Sequence, residues 1–488
     1  MSLALRLAAA ALLLTTPATA QISQREYAAR RDSVAAHLGE GVLLAFGAPS
    51  PTTDQADFNQ FPSFAYLTGY DRTDAAFLMV VGGGRPTYQM LFEPPTDPRL
   101  ALYNGFRPDS ADLARRTGLG LAQLSTLRER VESVVGSGTL YVLTDVHTRD
   151  VADEDTLTRG RRFVQDLWAV RPGLTIRSAD PLLDSLRVRK SSAELALLRK
   201  AVAISMQGQT AAMHRVRPGI NEGEIHALVD YTFRLAGASG PSFRAIVGSG
   251  PNSTSYHYRA NDRVMRAGEV VVMDIGALYA GYAGDVTRTV PVSGKFSPDQ
   301  AAIYRIVRES QLAAEHQVRA GAAVGGSDSA ARAVEARGLA RLGLIESPDA
   351  TFDPPWADAA KCARTPTVCR QQFLYRAHGL GHGIGLEVHD AGGFSYSPTG
   401  FYQSQEVITI EPGLYISTAL LDMLADTPRN RAFVARVRQA VERYNHIGIR
   451  IEDDYLVTDG GIEWLSRGPR EPEEIEAAMK GSRAATTR

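Results

Sequence analysis

A chain of 488 residues is long enough for two or three domains, because single cores stop growing at about 250–300 residues. Hydrophobic residues make up 44% and charged residues 22%, the balance of a folded globular protein rather than a disordered one. The formal net charge of −1 removes the electrostatic case for nucleic acid or an anionic membrane surface as a partner.

The first twenty residues read as a signal peptide. Arg6 precedes the apolar run Leu7–Leu14, and Thr-Pro-Ala-Thr-Ala leads to Gln21, the order of a basic region, an apolar core and an Ala-x-Ala cleavage site. The run is well short of the ~20 residues a spanning helix needs, and no later stretch reaches that length. A secreted or periplasmic protein beginning near Gln21, with no membrane span in the mature chain, is expected.

Residues 21–187 alternate strand-like runs (Gly41–Phe46, Ala75–Val81, Thr139–Leu143) with helix-like ones (Arg25–His37, Asp109–Arg115, Leu121–Val131), the pattern of an α/β domain. No nucleophile elbow or phosphate loop occurs there. Ser191 or Ser192 can N-cap a helix running to His214. That helix ends at Val216-Arg217-Pro218-Gly219, and Val318-Arg319-Ala320-Gly321 ends a second one starting at Ser297-Pro298. Each is followed by a further helical segment, the first capped by Asn221 with Glu224 three residues on. A terminal helix is expected over Pro472–Met479, with 481–488 as a flexible tail.

The chemistry gathers around Tyr375–Asp390, which holds three of the ten histidines, His378, His382 and His389. Glycines at 379, 381, 383 and 385 argue against a helix, and hence against the helical two-histidine zinc motif. Carboxylates stand in strand-like settings on both sides. Asp274 ends Val270–Met273, Asp285 follows Gly284, Glu411 closes Val407–Ile410, and Glu452 follows Ile449-Arg450-Ile451. Carboxylates at the ends of apolar strands are costly unless paired or bound to a cation. A hairpin turning at Tyr279-Ala280 would set Asp274 directly opposite Asp285, about 5 Å apart, with Arg288 the near candidate for a salt bridge instead. Two Asp, two Glu and one His suit a pair of divalent ions.

Four blocks, Val272–Val292, His378–Asp390, Glu411–Tyr415 and Gly448–Asp454, resemble the creatinase/aminopeptidase P family of pita-bread metallopeptidases, most of all its Xaa-Pro aminopeptidase branch. Weaker similarity covers nearly all of the chain after residue 20. The resemblance implies an α/β N-terminal domain followed by a C-terminal pita-bread α+β catalytic domain over 188–480, with pseudo-two-fold halves. Leu186–Glu194 matches the family's inter-domain junction. Phe58–Phe61 and Phe64–Tyr70 resemble an N-domain signature, although relatives often carry an arginine near Asn59; core aromatics are the plainer reading.

The resemblance also implies a ligand set. Asp274 serves one metal, His382 and Glu411 the other, and Asp285 and Glu452 bridge the two. Such a pair holds a hydroxide between the ions and polarises the scissile carbonyl, with Glu411 placed to relay its proton. His378, His389 and His257 match substrate-facing histidines, their plainer role being to satisfy backbone groups. Arg450, two residues before Glu452, is expected to orient the ligand carboxylates. His37, His147, His214, His226 and His316 read as ordinary histidines.

The activity implied by the resemblance is that of an exported aminopeptidase removing the residue before a proline, whose amide lacks an N–H and so falls outside general peptidases. An Xaa-Pro dipeptidase, a metal-free amidinohydrolase and a metal-free binding module of the same fold are the alternatives, the last two disfavoured by five intact ligands. Manganese suits carboxylate-rich ligation, with cobalt or zinc able to bind, and relatives are often dimers or tetramers. Two segments are longer than relatives suggest: Glu346–Gln372, with the only two cysteines, and Thr418–Asn445, with an arginine-rich helix over Asn430–Arg443. The second is read as a cleft rim or an oligomer contact. Cys362 and Cys369 are expected to form a disulfide, given export.

Overall fold

The computed structural model describes residues 21–50, 58–95, 110–143 and 158–485; the expected signal peptide and His147 lie outside them. The N-terminal part is built on six strands in the order Gly120–Gln123, Arg85–Glu93, Ala76–Gly82, Gly41–Phe46, Thr139–Val142 and Thr175–Ser178. Gly41–Phe46 runs antiparallel to Ala76–Gly82 and parallel to Thr139–Val142. Leu43 and Ala45 join one apolar cluster, while Val42, Leu44 and Phe46 join another. Successive strand residues face opposite sides, so helices on both sides account for the unbroken apolar run.

Leu121–Val131 is not one helix. Gly120–Gln123 is an edge strand paired in parallel with Arg85–Glu93, Leu91 opposite Leu121, and the helix begins only at Leu127 and runs to Val135. Hydrogen bonds to a strand some thirty positions earlier override the local pattern. The aromatic signature is core: Phe61, Phe64, Tyr66 and Tyr70 are buried around the helix Pro62–Thr68, and Asn59 is exposed.

The architecture changes between the helix Asp180–Val188 and the helix Ser192–Arg215. Ser191 caps the latter in a full capping box with Glu194, and Asn221 with Glu224 does the same for Glu222–Leu235. This helix pair covers the strands Ile246–Ser249, Val270–Ile275 and Val286–Pro291. A second pair, Pro298–Glu315 and Val324–Arg341, accompanies the strands Val407–Ile410, Asp453–Thr458 and Gly461–Trp464, and the hairpin Gly413–Ile416 with Ile447–Arg450. The halves meet at a backbone bridge between Thr287 and Glu452.

The hairpin that carries the two aspartates turns later than expected. Asp274 opposes Thr287, and Tyr279 opposes Tyr282, so the turn is Ala280-Gly281. Both turn residues are left-handed, φ 49° and 83°, as a two-residue hairpin turn of this hand requires. Asp285 thus lies two positions from the residue opposite Asp274. A two-residue slip preserves strand parity: the aspartates keep one face but are diagonal neighbours rather than opposite ones.

The two long segments fold onto each other. The Phe352 and Phe433 rings are 5.8 Å apart, Asp353 accepts from Thr427 and Arg429, and Arg436 pairs with Glu346. The arginine-rich helix starts at Pro428, capped by Thr427. The segment Thr418–Asn445 leaves from the Ile416–Ile447 end of its hairpin, the end away from Arg450. Cys362 and Cys369 are disulfide-bonded. Closing so short a loop should contribute roughly 2–3 kcal/mol, so reduction should lower the melting temperature modestly. Intact mass after alkylation should show both thiols protected until reductant is added; free labelling of unreduced protein would rule the bond out. The last helix, Pro472–Ala485, extends past the expected end at Met479 and takes in much of the expected tail.

Candidate metal centre

Each candidate carboxylate ligand sits where a strand begins or ends. Asp274 is the penultimate residue of Val270–Ile275, a strand buried throughout. Asp285 precedes Val286–Pro291, and its backbone N–H donates to Asp454. Glu411 directly follows Val407–Ile410, and Glu452 lies between Ile447–Arg450 and Asp453–Thr458. The bridge to Thr287 holds Glu452 in place, with the Thr287 hydroxyl donating to its Oε2 at 2.7 Å. The glycine-rich stretch runs alongside Val407–Ile410. Thr409 N donates to His382 O at 2.9 Å, and Glu411 N to Leu380 O at 2.8 Å. A Cβ on Gly381 would overlap the Thr409 carbonyl and one on Gly383 the Ala391 carbonyl. Neither glycine has a left-handed φ; they are needed for close approach, not for unusual dihedrals.

His382 Nε2 lies 3.4 Å from Glu411 Oε1 and 3.7 Å from Asp285 Oδ2. Its Nδ1 is 3.0 Å from the Gly383 carbonyl, the arrangement that fixes a ligating imidazole. Ligand atoms of Asp285, His382 and Glu452 all fall within 4.8 Å of one another. Asp274 joins them through Arg450, whose Nη2 is 2.6 Å from Asp274 Oδ2, whose Nη1 donates to the Tyr415 hydroxyl at 2.6 Å and whose Nε donates to Thr287. The buried arginine beside Asp274 is therefore Arg450; Arg288 turns away to Asp453 at 2.6 Å.

This grouping is electrostatically unfavourable on its own. Burial, then Glu452 and Asp274, hold Asp285 well above the usual carboxylate range. Burial, then Glu411 and Asp274, do the same to Glu452. Burial pushes Glu411 up to about 8, against the opposing pull of Arg450 and Arg376. Oδ1 of Asp274 and Oδ1 of Asp285 are buried without a hydrogen-bond partner, a costly state that a cation relieves. Four carboxylates, one oriented imidazole and two orphaned oxygens fit divalent cations.

The other histidines converge as well. His378 Nε2 is 2.7 Å from the Tyr415 hydroxyl, and Nδ1 is 3.6 Å from Glu411 Oε2. Burial, Arg450 and Arg376 drive its pKa well down, keeping the ring neutral. The His389 ring is 4.3 Å from that of His382. His257 is exposed beside Tyr256, which lies 5.7 Å from His378; desolvation and Arg450 lower its pKa. His37, His214 and His226 lie within helices and His316 caps one.

Sequence reasoning missed Tyr415, Thr287 and Glu222. Tyr415 lies in one of the four blocks, but nothing local points its hydroxyl at both Arg450 and His378. Glu222, fully buried, accepts from Ser249 N and Oγ, the Tyr258 hydroxyl and Arg263 N. It thereby ties both ends of the loop that presents Tyr256 and His257.

A buried carboxylate–imidazole cluster where two matching helix–sheet halves meet defines a metallohydrolase of the pita-bread class. Residues 196–459 match metallopeptidase family M24, and residues 27–141 match the aminopeptidase P N-terminal domain; the chain belongs to family M24. It is 31% identical over 476 residues to the Xaa-Pro aminopeptidase of Escherichia coli K12, covering 95% of this chain and 99% of the relative. The Xaa-Pro aminopeptidase of Haemophilus influenzae is 29% identical over 470 residues, covering 94% and 98%. The solved E. coli aminopeptidase P with the inhibitor Pro-Leu superposes with a TM-score of 0.78 at 28% identity, over 95% of this chain and 100% of that one. Proline aminopeptidase P II from Yersinia pestis gives 0.75 at 28% identity, over 94% and 100%.

Proposed function

We propose that this chain is an Xaa-Pro aminopeptidase, hydrolysing the bond between an N-terminal residue and a following proline. The observation that carries this reading is the convergence of Asp285, His382, Glu411 and Glu452, with Asp274 beside them, under a rim of His257, His378 and His389. Two divalent ions, manganese by preference, would be held by Asp274, Asp285, His382, Glu411 and Glu452. Cobalt and zinc compete on raw affinity, and a zinc-substituted E. coli aminopeptidase P with product is among the similar structures. Bound ions supply Lewis acidity and a nucleophile at neutral pH.

The chain's own groups do the rest. Glu411 takes a proton from the attacking water and delivers it to the proline nitrogen, which must be protonated to leave. His389 donates to the oxygen that becomes negative as the carbonyl turns tetrahedral. Neutral His378, whose Nδ1–H donates to the Gly379 carbonyl at 2.9 Å and whose Nε2 meets the Tyr415 hydroxyl at 2.7 Å, lines the same cleft beside Glu411. Arg450, braced by Tyr415 and Thr287, holds Asp274 in one orientation. His257 lines the exposed side.

An Xaa-Pro dipeptidase is the second reading, since the same cluster serves it; names and coverage of the relatives favour the aminopeptidase. Hydrolysis of Xaa-Pro-Yaa peptides and Xaa-Pro dipeptides with added Mn²⁺ separates them. Tripeptides should be cleaved, chelation should abolish cleavage, and Mn²⁺ or Co²⁺ should restore it. Cleavage confined to dipeptides, or full activity in a metal-free sample, would overturn the proposal. Export to the periplasm or medium rests on residues 1–20 and is checked by fractionation. Among the described residues no helix is long and apolar enough to cross a membrane. Assembly as a homodimer or homotetramer is checked by light scattering.

A further inference from the structure

The junction between the two parts of the chain reaches the catalytic stretch directly. Arg187, 3% exposed, donates through Nη2 to Asp390 Oδ1 at 2.7 Å and Glu387 Oε1 at 3.2 Å. Its Nη1 donates to the Ser63 hydroxyl at 3.1 Å, in the N-terminal helix Pro62–Thr68. Lys190, 1% exposed, reaches Asp390 Oδ2 at 3.3 Å and the Arg187 carbonyl at 2.7 Å. Asp390, also 1% exposed, takes a further bond from the Ala391 N–H at 2.7 Å. Leu386 packs against the N-terminal apolar cluster that contains Phe61, Phe64 and Leu183. The segment Leu386–Asp390 is thus held at one end by apolar contact with the N-terminal part and at the other by two buried cations. His389 is one peptide bond from the clamped carboxylate.

A buried ion cluster is weak evidence for stability, because desolvation of the charges offsets much of their attraction. What it does supply is a fixed geometry, and catalysis is sensitive to displacements of about 1 Å. We propose that Arg187 and Lys190 are positioning residues that hold His389 through Asp390, making the docking of the N-terminal domain part of the catalytic apparatus. This rests on the reading of His389 as a group that faces the substrate.

The test is a double-mutant cycle on the full-length, Mn²⁺-loaded protein with an Xaa-Pro-Yaa peptide. Arg187→Met should lower kcat roughly 10- to 100-fold with KM changed less than about threefold, and Arg187→Lys should recover part of the loss. In the His389→Ala background the same Arg187→Met change should cost less than about threefold, because the group it positions is gone. Equal losses in both backgrounds, or an undiminished kcat, would overturn the proposal. If Arg187→Met fails to fold, Asp390→Asn, which keeps the shape and removes the charge, enters the cycle with the same criteria. A wild-type protein that does not cleave the peptide at all would instead defeat the functional reading itself, and this inference with it.

Discussion

Glu411→Ala should leave a folded protein whose turnover of Xaa-Pro-Yaa peptides is reduced roughly 10³-fold or more. Removing a positioned acid–base group alone costs about 10²–10⁴-fold, and Glu411 is also one of five candidate metal ligands, 3.4 Å from His382. Stability should move the other way from the usual loss of a buried group. Burial raises the Glu411 pKa to about 8, with Asp274 adding to the rise against Arg450 and Arg376, so in metal-free protein this carboxylate works against the fold at neutral pH. Steady-state kinetics together with thermal melting of the metal-free variant separate the two effects. Turnover within tenfold of wild type would remove Glu411 from the mechanism.

Metal removal should expose a pH dependence that the loaded protein lacks. An ordinary glutamate titrates at 4.5, whereas Glu411 is held up at about 8, and Asp285 and Glu452 are shifted in the same direction. Between those values the folded metal-free chain keeps protons that the unfolded chain gives up. Stability therefore falls as pH rises from about 4.5 to 8, by up to about 1.4 kcal/mol per pH unit for each proton so held. Divalent ions replace those protons, so chelation should depress the melting temperature far more at pH 8 than at pH 5.5. Differential scanning measurements with and without chelator, on wild type and Glu411→Gln, check this. The glutamine variant should have the flatter metal-free profile. A metal-free wild type that grows more stable over that interval would contradict the electrostatic account.

Local chemistry made much of this protein legible. Ser191 with Glu194 and Asn221 with Glu224 cap their helices because a side-chain oxygen three residues from its partner satisfies free N–H groups without help from elsewhere. The four candidate acidic ligands stood out because acids at the ends of apolar runs are costly unless something distant compensates them, while His382 was added to them by the family resemblance. Cys362 and Cys369 pair across a loop short enough to be read directly.

Other features depended on parts of the chain far apart in sequence. The turn at Ala280-Gly281 set the aspartates two positions out of direct opposition, and the strand at Leu121 formed only because Arg85–Glu93 offers it hydrogen bonds. Arg450 rather than Arg288 meets Asp274 across 176 positions, and Tyr415 joins Arg450 to His378. Arg187 finds Asp390 across 203 positions. The sequence alone determined which groups are present and the local preferences around them. Which acid faces which base was decided by the tertiary fold, because a buried charge takes whichever partner packing brings within hydrogen-bonding distance, and sequence separation carries no information about that distance.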